Sequence, residues 1–503
     1  MTDQTAITKN GLSKRGLKDL KEMGGRVAML LKVFENQFDA KNNPDGTIIL
    51  GIADNSLCRS ELVDFFTSPG RLQLEPKDLT YADHFYASGR VLKAIAGLYN
   101  DIPDGLYSKK DWKPPLKPIE IEHILVGNGA TEIIDACFWD LCDEGEGVLL
   151  SAPYYNAFDE DLSFRAKVQI VQVEMPEPKS GFGSNAKEPK ESFQVDIIQD
   201  YEDALQKAKG ITCRAVLICN PHNPTGGIYP RETIVALAKF SAKHDLHLVM
   251  DEIYARGCFT TKTVPNPTPF DSILGIDVEA EAGLQPSHVH VISSASKDFS
   301  INGFRIGIFI SQHNPDLITS MGANARFAQT ASPAGQLFAS LLNDRKYLDW
   351  FLHENRRRLT ITFDKVTEFL SHHEIPFIPS NAGHFLLIDL QKYLSKDENE
   401  RKSPLPSKEL ATGQEGVLEE AMSTIKIATA ENGKELTPER ELTYKFLEGG
   451  VMLAPGSQYH YPTPGFFRLT FSIEPKALQV GLSRIEKVLG LPSWIESQPV
   501  IQF

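Results

Sequence analysis

The sequence predicts an α/β protein: a mainly parallel sheet covered by helices, joined by a smaller α+β domain drawn from both chain ends. Three observations predict it. Several strand-length runs are continuously apolar rather than alternating, the habit of strands buried on both faces. Helix-patterned stretches lie between those runs. From about residue 340 the pattern changes to one long helical stretch followed by short strands.

In chain order, "GATEIIDACFWDLCD" (129–143) reads as a helix and "GVLLSAP" (147–153) as a buried strand. "PEPKSGFGSNAKEPKES" (176–192) is polar and rich in Pro, Gly and Ser, so it is expected to be a surface loop. "CRAVLICNP" (213–221) is the next strand, "RETIVALAKFSAKHD" (231–245) a helix, and "LHLVMDE" (246–252) a strand. "HVHVISSAS" (288–296) and "FRIGIFIS" (304–311) come next as strands. "LLNDRKYLDWFLHENRRRLTITFDKVTEFLSHH" carries the long helical pattern, and "HFLLIDL" and "FFRLTFS" are the late strands. Between them "SKDENERKSPLPSKELATGQEG" (395–416) is a charged insertion, followed by a helix expected at "VLEEAMSTIKIATA". The expected domains are 1–79 as an N-terminal arm with part of the small domain, 80–335 as the large domain, and 336–503 as the C-terminal small domain, its insertion at about 395–440.

Composition narrows the function classes. Apolar residues make up 41% and charged residues 23%, an ordinary globular balance. A net charge of −14 argues against a nucleic-acid surface, which needs a basic face. The six cysteines form no CxxC pair and sit mostly beside apolar residues, as in a reducing compartment. No signal-type apolar core opens the chain and no run approaches the ~20 apolar residues of a membrane span, so a cytoplasmic protein is expected. The histidines, among them His84, His123, His222 and His244, lack ligand spacing, and no metal site is expected.

In an open α/β sheet, ligands gather outside the carboxyl ends of the strands. Three predicted strands deliver different reagents there: Asn223 in "NPHNPTGG", Asp251 with Tyr254 in "DEIY", and Ser294 with Lys297 in "SSASK". Each has a bland explanation alone, as a turn, a helix cap or a solvated charge. Their conjunction in this order makes the bland readings poor. "SASK" also satisfies the S-x-x-K of penicillin-binding serine acylases, with Ser294 as nucleophile, but the S-D-N-like and K-T-G elements those enzymes need are not found.

These segments, with "IILGIADNSLC" (48–58), "VGNGATEIID", "SAPYYNAFDEDL", "SNAGHFLLIDL" and "LAPGSQYHYPTPGFFRLTFS" (453–472), resemble the class I/II aminotransferases, fold-type-I enzymes of pyridoxal 5'-phosphate with an aspartate-aminotransferase-like architecture. More closely they resemble the subgroup containing 1-aminocyclopropane-1-carboxylate synthase. The resemblance implies that Lys297 forms a Schiff base with the cofactor aldehyde and then moves a proton at Cα. It implies that Asp251 pairs with the pyridine nitrogen, and that Tyr254 and Asn223 hydrogen-bond the ring's phenolic oxygen. Tyr155 matches the aromatic stacked on the ring, with Tyr154 as its rival if the alignment slips by one. Gly129, Ala130 and Thr131 would meet the phosphate at a helix N-terminus, assisted by Ser294 and Arg305. Arg468 takes the position of the arginine that clamps the substrate carboxylate. Ala53, Asn223 and Phe85 or Tyr86 complete the implied substrate contacts, the aromatic coming from a partner subunit, so a homodimer with shared sites is expected.

Two departures bear on the reaction. The family's "GLAEN" reads "GIADN" here, with Asp54 for glutamate, and a gap-free count places Phe85 where the synthases carry a tyrosine. Both weigh against ring closure; by analogy with the commonest activity of the fold, the resemblance implies an aminotransferase of a small amino acid. The alternatives are ring-closing lyase chemistry, elimination at Cβ or Cγ, and, remotely, a non-catalytic module of the same fold.

Overall fold

The computed structural model describes residues 11–81, 84, 86–101, 113–174, 197–326, 328–395 and 437–503, with backbone alone at 21–29. The loop expected at 176–192, the insertion at 396–436 with its helix, and Phe85 lie outside the described residues. Those described fall into two compact units. One draws on Ile52–Leu390, Gly456–Pro475 and Ile501–Phe503, the other on Met1–Gly51, Gln391–Pro455 and Lys476–Val500.

The first unit is built on seven strands. They are β1 (Ile124–Gly127), β2 (Gly147–Ala152), β3 (Gln169–Glu174), β4 (Cys213–Cys219), β5 (His247–Asp251), β6 (Val289–Ser294) and β7 (Gly307–Ile310). Their spatial order is β1-β7-β6-β5-β4-β2-β3. All neighbours are parallel except those of β7, which runs antiparallel to both β1 and β6. Continuous apolarity has the expected cause. Val216 and Ile218 of β4 join one core cluster, and Ala215, Leu217 and Cys219 of the same strand join the cluster on the opposite face. Helix α1 (Ala130–Leu141) buries Ile133, Ile134, Cys137 and Phe138, and helix α2 (Arg231–Lys243) buries Ile234, Leu237 and Phe240. The long helix α3 (Arg345–His372) buries Leu348, Phe351, Leu352, Leu359 and Phe363. Two late strands, β8 (Phe385–Asp389) and β9 (Phe466–Thr470), pair antiparallel, with Arg468 opposite Leu387.

In the second unit, Ile48–Ile49 pairs parallel with Val451–Met452. The Arg484 guanidinium ties its segments together by donating to the carbonyls of Pro44, Gly46 and Gly450 at 3.0, 2.5 and 2.6 Å. No helix among the described residues is long and apolar enough to cross a membrane.

The reversed direction of β7 forces a close backbone approach. Its first residue lies at the end of the sheet where the parallel strands finish, and Gly307 there meets the loop after β1. A β-carbon on Gly307 would come within 2.4 Å of the Gly129 carbonyl oxygen and 2.8 Å of Ile133. Gly307→Ala is therefore expected to cost about 1–3 kcal/mol by overpacking. The control Gly303→Ala, with nothing within 4 Å of its new methyl, should stay within about 0.5 kcal/mol of the parent. Urea unfolding of the two variants checks both.

Candidate active site

Five loops converge at the carboxyl end of the sheet. Asp251 closes β5, is 4% exposed, and accepts a hydrogen bond from the Ile253 amide at 3.2 Å. Its register partner across the sheet is Cys219 of β4. Burial pushes the Asp251 carboxyl up to about 7, opposed by the Ile253 amide, the Cys219 thiol and the charge of Lys297. Lys297 follows β6, and its ammonium donates to the Ala53 carbonyl at 2.5 Å. Burial, then the like charge of Arg468, draws the Lys297 pKa down to about 8.

Arg468 projects from β9, is 3% exposed, and donates from Nη1 to the Asn223 side-chain oxygen at 2.9 Å. Its guanidinium lies over two rings, Phe385 at 4.6 Å and Tyr459 at 4.7 Å. Such contacts hold a cation in place without neutralising it. Tyr254 is buried, with the rings of His384 and Phe385 edge-on to it, each at 5.5 Å. Burial raises the Tyr254 hydroxyl well above its ordinary pKa, while Arg468 draws it back.

The loop that carries Asn223 is fixed by a histidine. His222 Nε2 lies 2.9 Å from the Pro153 carbonyl and Nδ1 2.8 Å from the Thr225 hydroxyl. A carbonyl only accepts, so Nε2 carries the proton and Nδ1 accepts from Thr225. Burial lowers the ring's pKa to about 4, which keeps it neutral. His222 thereby joins the loop after β4 to the loop after β2, where both tyrosines stand. Tyr154 donates its hydroxyl to Asp159 at 2.7 Å and stacks on His460 at 4.4 Å. Tyr155 meets Phe158 edge-on at 5.3 Å and feels the charges of Asp161, Arg468 and Asp251. The tyrosine that belongs to this group is thus Tyr155, and Tyr154 is committed elsewhere.

At the shared end of β1 and β7 a second group of residues gathers. Gly129 has φ +89°, a conformation favouring glycine, and a β-carbon there would lie 2.1 Å from an Arg305 guanidinium nitrogen. Ala130 and Thr131 open α1, whose first amides have no partner within the helix. Arg305 is exposed and donates to the carbonyls of Asn302 and Asn128 at 3.0 and 3.3 Å. Ser294 is buried and already engaged: it donates to the Ile306 carbonyl at 2.7 Å and accepts from the Ser296 amide at 3.0 Å. Its visible work is to pin the lysine loop to the start of β7.

Other expected residues stand as follows. Tyr86, expected to reach a partner's site rather than this one, rests against Gly322 of the helix Pro315–Ala325 and near His84. Ala53 accepts from Lys297 through its backbone oxygen, and its side chain packs in one cluster with Tyr254 and Phe385. Asp54 forms a two-oxygen ion pair with Arg59 at 2.9 and 2.7 Å. Conversely, Cys219, His222, Phe385, Tyr459 and His384 surround the group although no local sequence pattern marks them. No set of three or more metal-ligating side chains forms among the described residues.

The profile of the family "Aminotransferase class I and II" matches residues 93–485. A probable aminotransferase of Aspergillus fumigatus, gliI, is 31% identical over 441 residues, covering 87% of this chain and 88% of the relative. The mouse 1-aminocyclopropane-1-carboxylate synthase-like protein 1 is 27% identical, covering 97% and 84% respectively. Among solved structures, Bna3p from Saccharomyces cerevisiae, titled a putative kynurenine aminotransferase, superposes with a TM-score of 0.66 at 19% identity, covering 95% of this chain and 99% of that one. At that identity the likeness speaks to the fold alone. By profile and relatives together, this chain belongs to the class I and II aminotransferase family.

Proposed function

We propose that the chain is a pyridoxal-phosphate-dependent aminotransferase of a small amino acid, with Lys297 as the residue that holds the cofactor covalently. The observation that carries the reading is the gathering of Lys297, Asp251, Tyr254, Asn223 and Arg468 at one end of the sheet. The residues present suit the cofactor. Gly129, at positive φ and without a β-carbon, lets the Arg305 guanidinium come up against the backbone beside the first amides of α1. Together these donors and this charge are what a phosphate monoester needs. A buried carboxylate with few partners suits a protonated ring nitrogen, and Tyr155 offers a ring for stacking.

When bound, pyridoxal phosphate supplies an aldehyde that takes up amino groups and a ring that accepts the electron pair left at Cα. The chain's own residues do the rest. Arg468 grips the α-carboxylate, held in aim by Phe385, Tyr459 and the Asn223 oxygen. Tyr254 and Asn223 provide a hydroxyl and an amide as donors to a phenolic oxygen. Lys297, once released, takes the proton from Cα and returns it elsewhere; a pKa near neutrality suits a group that must do both. The same reading includes a homodimer. The name of the mouse relative keeps elimination or ring closure as a second reading. A screen of amino acids that separates keto-acid formation from ammonia or thiol release distinguishes them, with keto acid the expected product.

The assignment of Lys297 is tested by borohydride reduction of the holoenzyme and peptide mapping. The reduced adduct is expected on Lys297, and an adduct on another lysine would overturn the assignment.

The lowered pKa has a consequence for pH. Only the neutral amine attacks an aldehyde, so capture of pyridoxal phosphate by apoenzyme should accelerate with rising pH and level off above about 8. An unperturbed lysine would keep accelerating toward about 10.4. Stopped-flow absorbance across this range reads the midpoint.

Asp251→Asn keeps the shape and removes the charge. Turnover is expected to fall by about 10²–10⁴-fold, the range for a lost acid–base contribution. Retention of the cofactor should change far less, because the phosphate contacts remain. Near-parental turnover would show that Asp251 is not the ring's partner.

A further inference from the structure

The long helix α3 turns an apolar stripe inward, with Leu348, Phe351, Leu352, Leu359 and Phe363 all buried. Asn355 lies on that stripe, one helical turn from Phe351 and from Leu359, and is 1% exposed. A buried amide is costly unless its hydrogen bonds are met, and asparagine is a poor helix former, so neither packing nor propensity explains it. Its partner does. The Asn355 side-chain oxygen accepts from the Asn55 side-chain amide at 2.7 Å, and Asn55 is itself buried. The Asn55 side-chain oxygen accepts in turn from the Leu57 backbone amide at 3.1 Å, so both ends of that side chain are committed. The same helix grips the same stretch of chain twice more. The Tyr347 hydroxyl donates to the Glu61 carbonyl at 2.8 Å, and Arg358 donates to the Leu57 carbonyl and pairs with the Glu61 carboxylate.

What α3 holds in this way is the segment that meets the lysine. Ala53, in the same loop as Asn55, sets its carbonyl 2.5 Å from the Lys297 ammonium, and it packs with Tyr254 and Phe385. Asp54, between Ala53 and Asn55, has its carbonyl held by the Ser472 hydroxyl at 2.7 Å. Its carboxylate is the nearby charge that most favours the protonated amine, with Asp251 adding to it. Burial and the charges of Arg468 and Arg305 act the other way, and the neighbouring His384 ring is neutral.

We infer that Asn355 is a positioning residue for Lys297: through Asn55 it fixes the segment 53–57 so that the Ala53 carbonyl stays against the lysine ammonium. In the proposed function that carbonyl steadies Lys297 while the amine holds the proton taken from Cα. The inference rests on that reading of Lys297, and its test uses the full chain without cofactor so that the two can fail separately.

Acetic anhydride acylates only neutral amines. Its rate at Lys297, read by peptide mass spectrometry as pH rises, gives the midpoint of this one amine, which is only partly buried and open to the reagent. Asn355→Ala frees the segment, and the ammonium loses an acceptor together with the nearby charge of Asp54. The midpoint should fall below the parent's by at least about half a unit, since hydrogen bonds to charged groups are the stronger ones. Asn55→Ala breaks the same bond from the other side and should give the same shift; it stands in if Asn355→Ala does not fold. The double variant should shift no further than either single one, because both act through one bond. Lost packing alone would lower stability to urea and leave the amine's midpoint where it is. An unmoved midpoint, one that rises toward that of a solvated lysine, or additive shifts in the double variant overturns the inference. A borohydride adduct on another lysine overturns the cofactor reading and leaves this inference standing.

Discussion

Everything at the candidate site depends on keeping two cations, Lys297 and Arg468, together at one apolar-walled end of a sheet. Like charges in a low-dielectric setting repel strongly, and each loses hydration as well. The chain resolves the conflict unequally. Arg468 cannot give up its proton at any physiological pH, so it is stabilised instead, between the faces of Phe385 and Tyr459 and against the Asn223 oxygen. Lys297 can give up its proton, and its pKa falls to about 8. After burial, the charge of Arg468 is the next cause of that shift, so in the proposed function the arginine that would secure a carboxylate also helps to free the neighbouring amine. One repulsion serves both binding and chemistry.

Holding that arrangement requires loops that do not drift, and the hydrogen bonds show how they are fixed. His222 joins the loops after β4 and β2, and Ser294 joins the loop after β6 to the start of β7. The Gly226 carbonyl receives two amides from the segment before β8. These links are internal to one compact unit and run between segments far apart in sequence. Their histidine is neutral, so the scaffold does not itself titrate near neutrality.

The same links separate what is legible in the sequence from what is not. The runs at β2, β4, β5, β6 and β7 are continuously apolar because alternate residues feed two cores, and apolarity without alternation is visible in one dimension. β3 escapes that reading: it lies at the sheet margin and alternates exposed Gln169, Gln172 and Glu174 with buried Val171 and Val173. β1, at the other margin, is four residues long, too short to stand out. Asp251 and Lys297 are readable because each follows an apolar run at a strand end, where chemistry concentrates. His222 is not, since its partner Pro153 is 69 residues away and nothing local signals the contact. Nor is Asn355, an ordinary polar residue in a helical pattern until its burial and its partner Asn55 are known. Ser294 shows a role the motif does not announce: its hydroxyl donates to the Ile306 carbonyl, 12 residues on.

The electrostatics also bear on the order in which the site acquires its charges. Burial is the largest cause at both groups, bringing Asp251 up to about 7 and Lys297 down to about 8, so without a further cation the two sit near the point where either loses its charge. A cation placed against Asp251 favours the carboxylate and draws its pKa back toward the ordinary range. An anion placed against Arg468 relieves the repulsion on Lys297 and raises the pKa of its amine. Binding at each end therefore shifts the protonation of the next group: in an empty site the neutral amine becomes accessible just above neutrality, and a carboxylate on Arg468 makes the lysine hold its proton more tightly. A scaffold of fixed dipoles and neutral histidines suits this behaviour. It leaves the ionisable groups at the centre as the ones that respond to what arrives and to pH near neutrality.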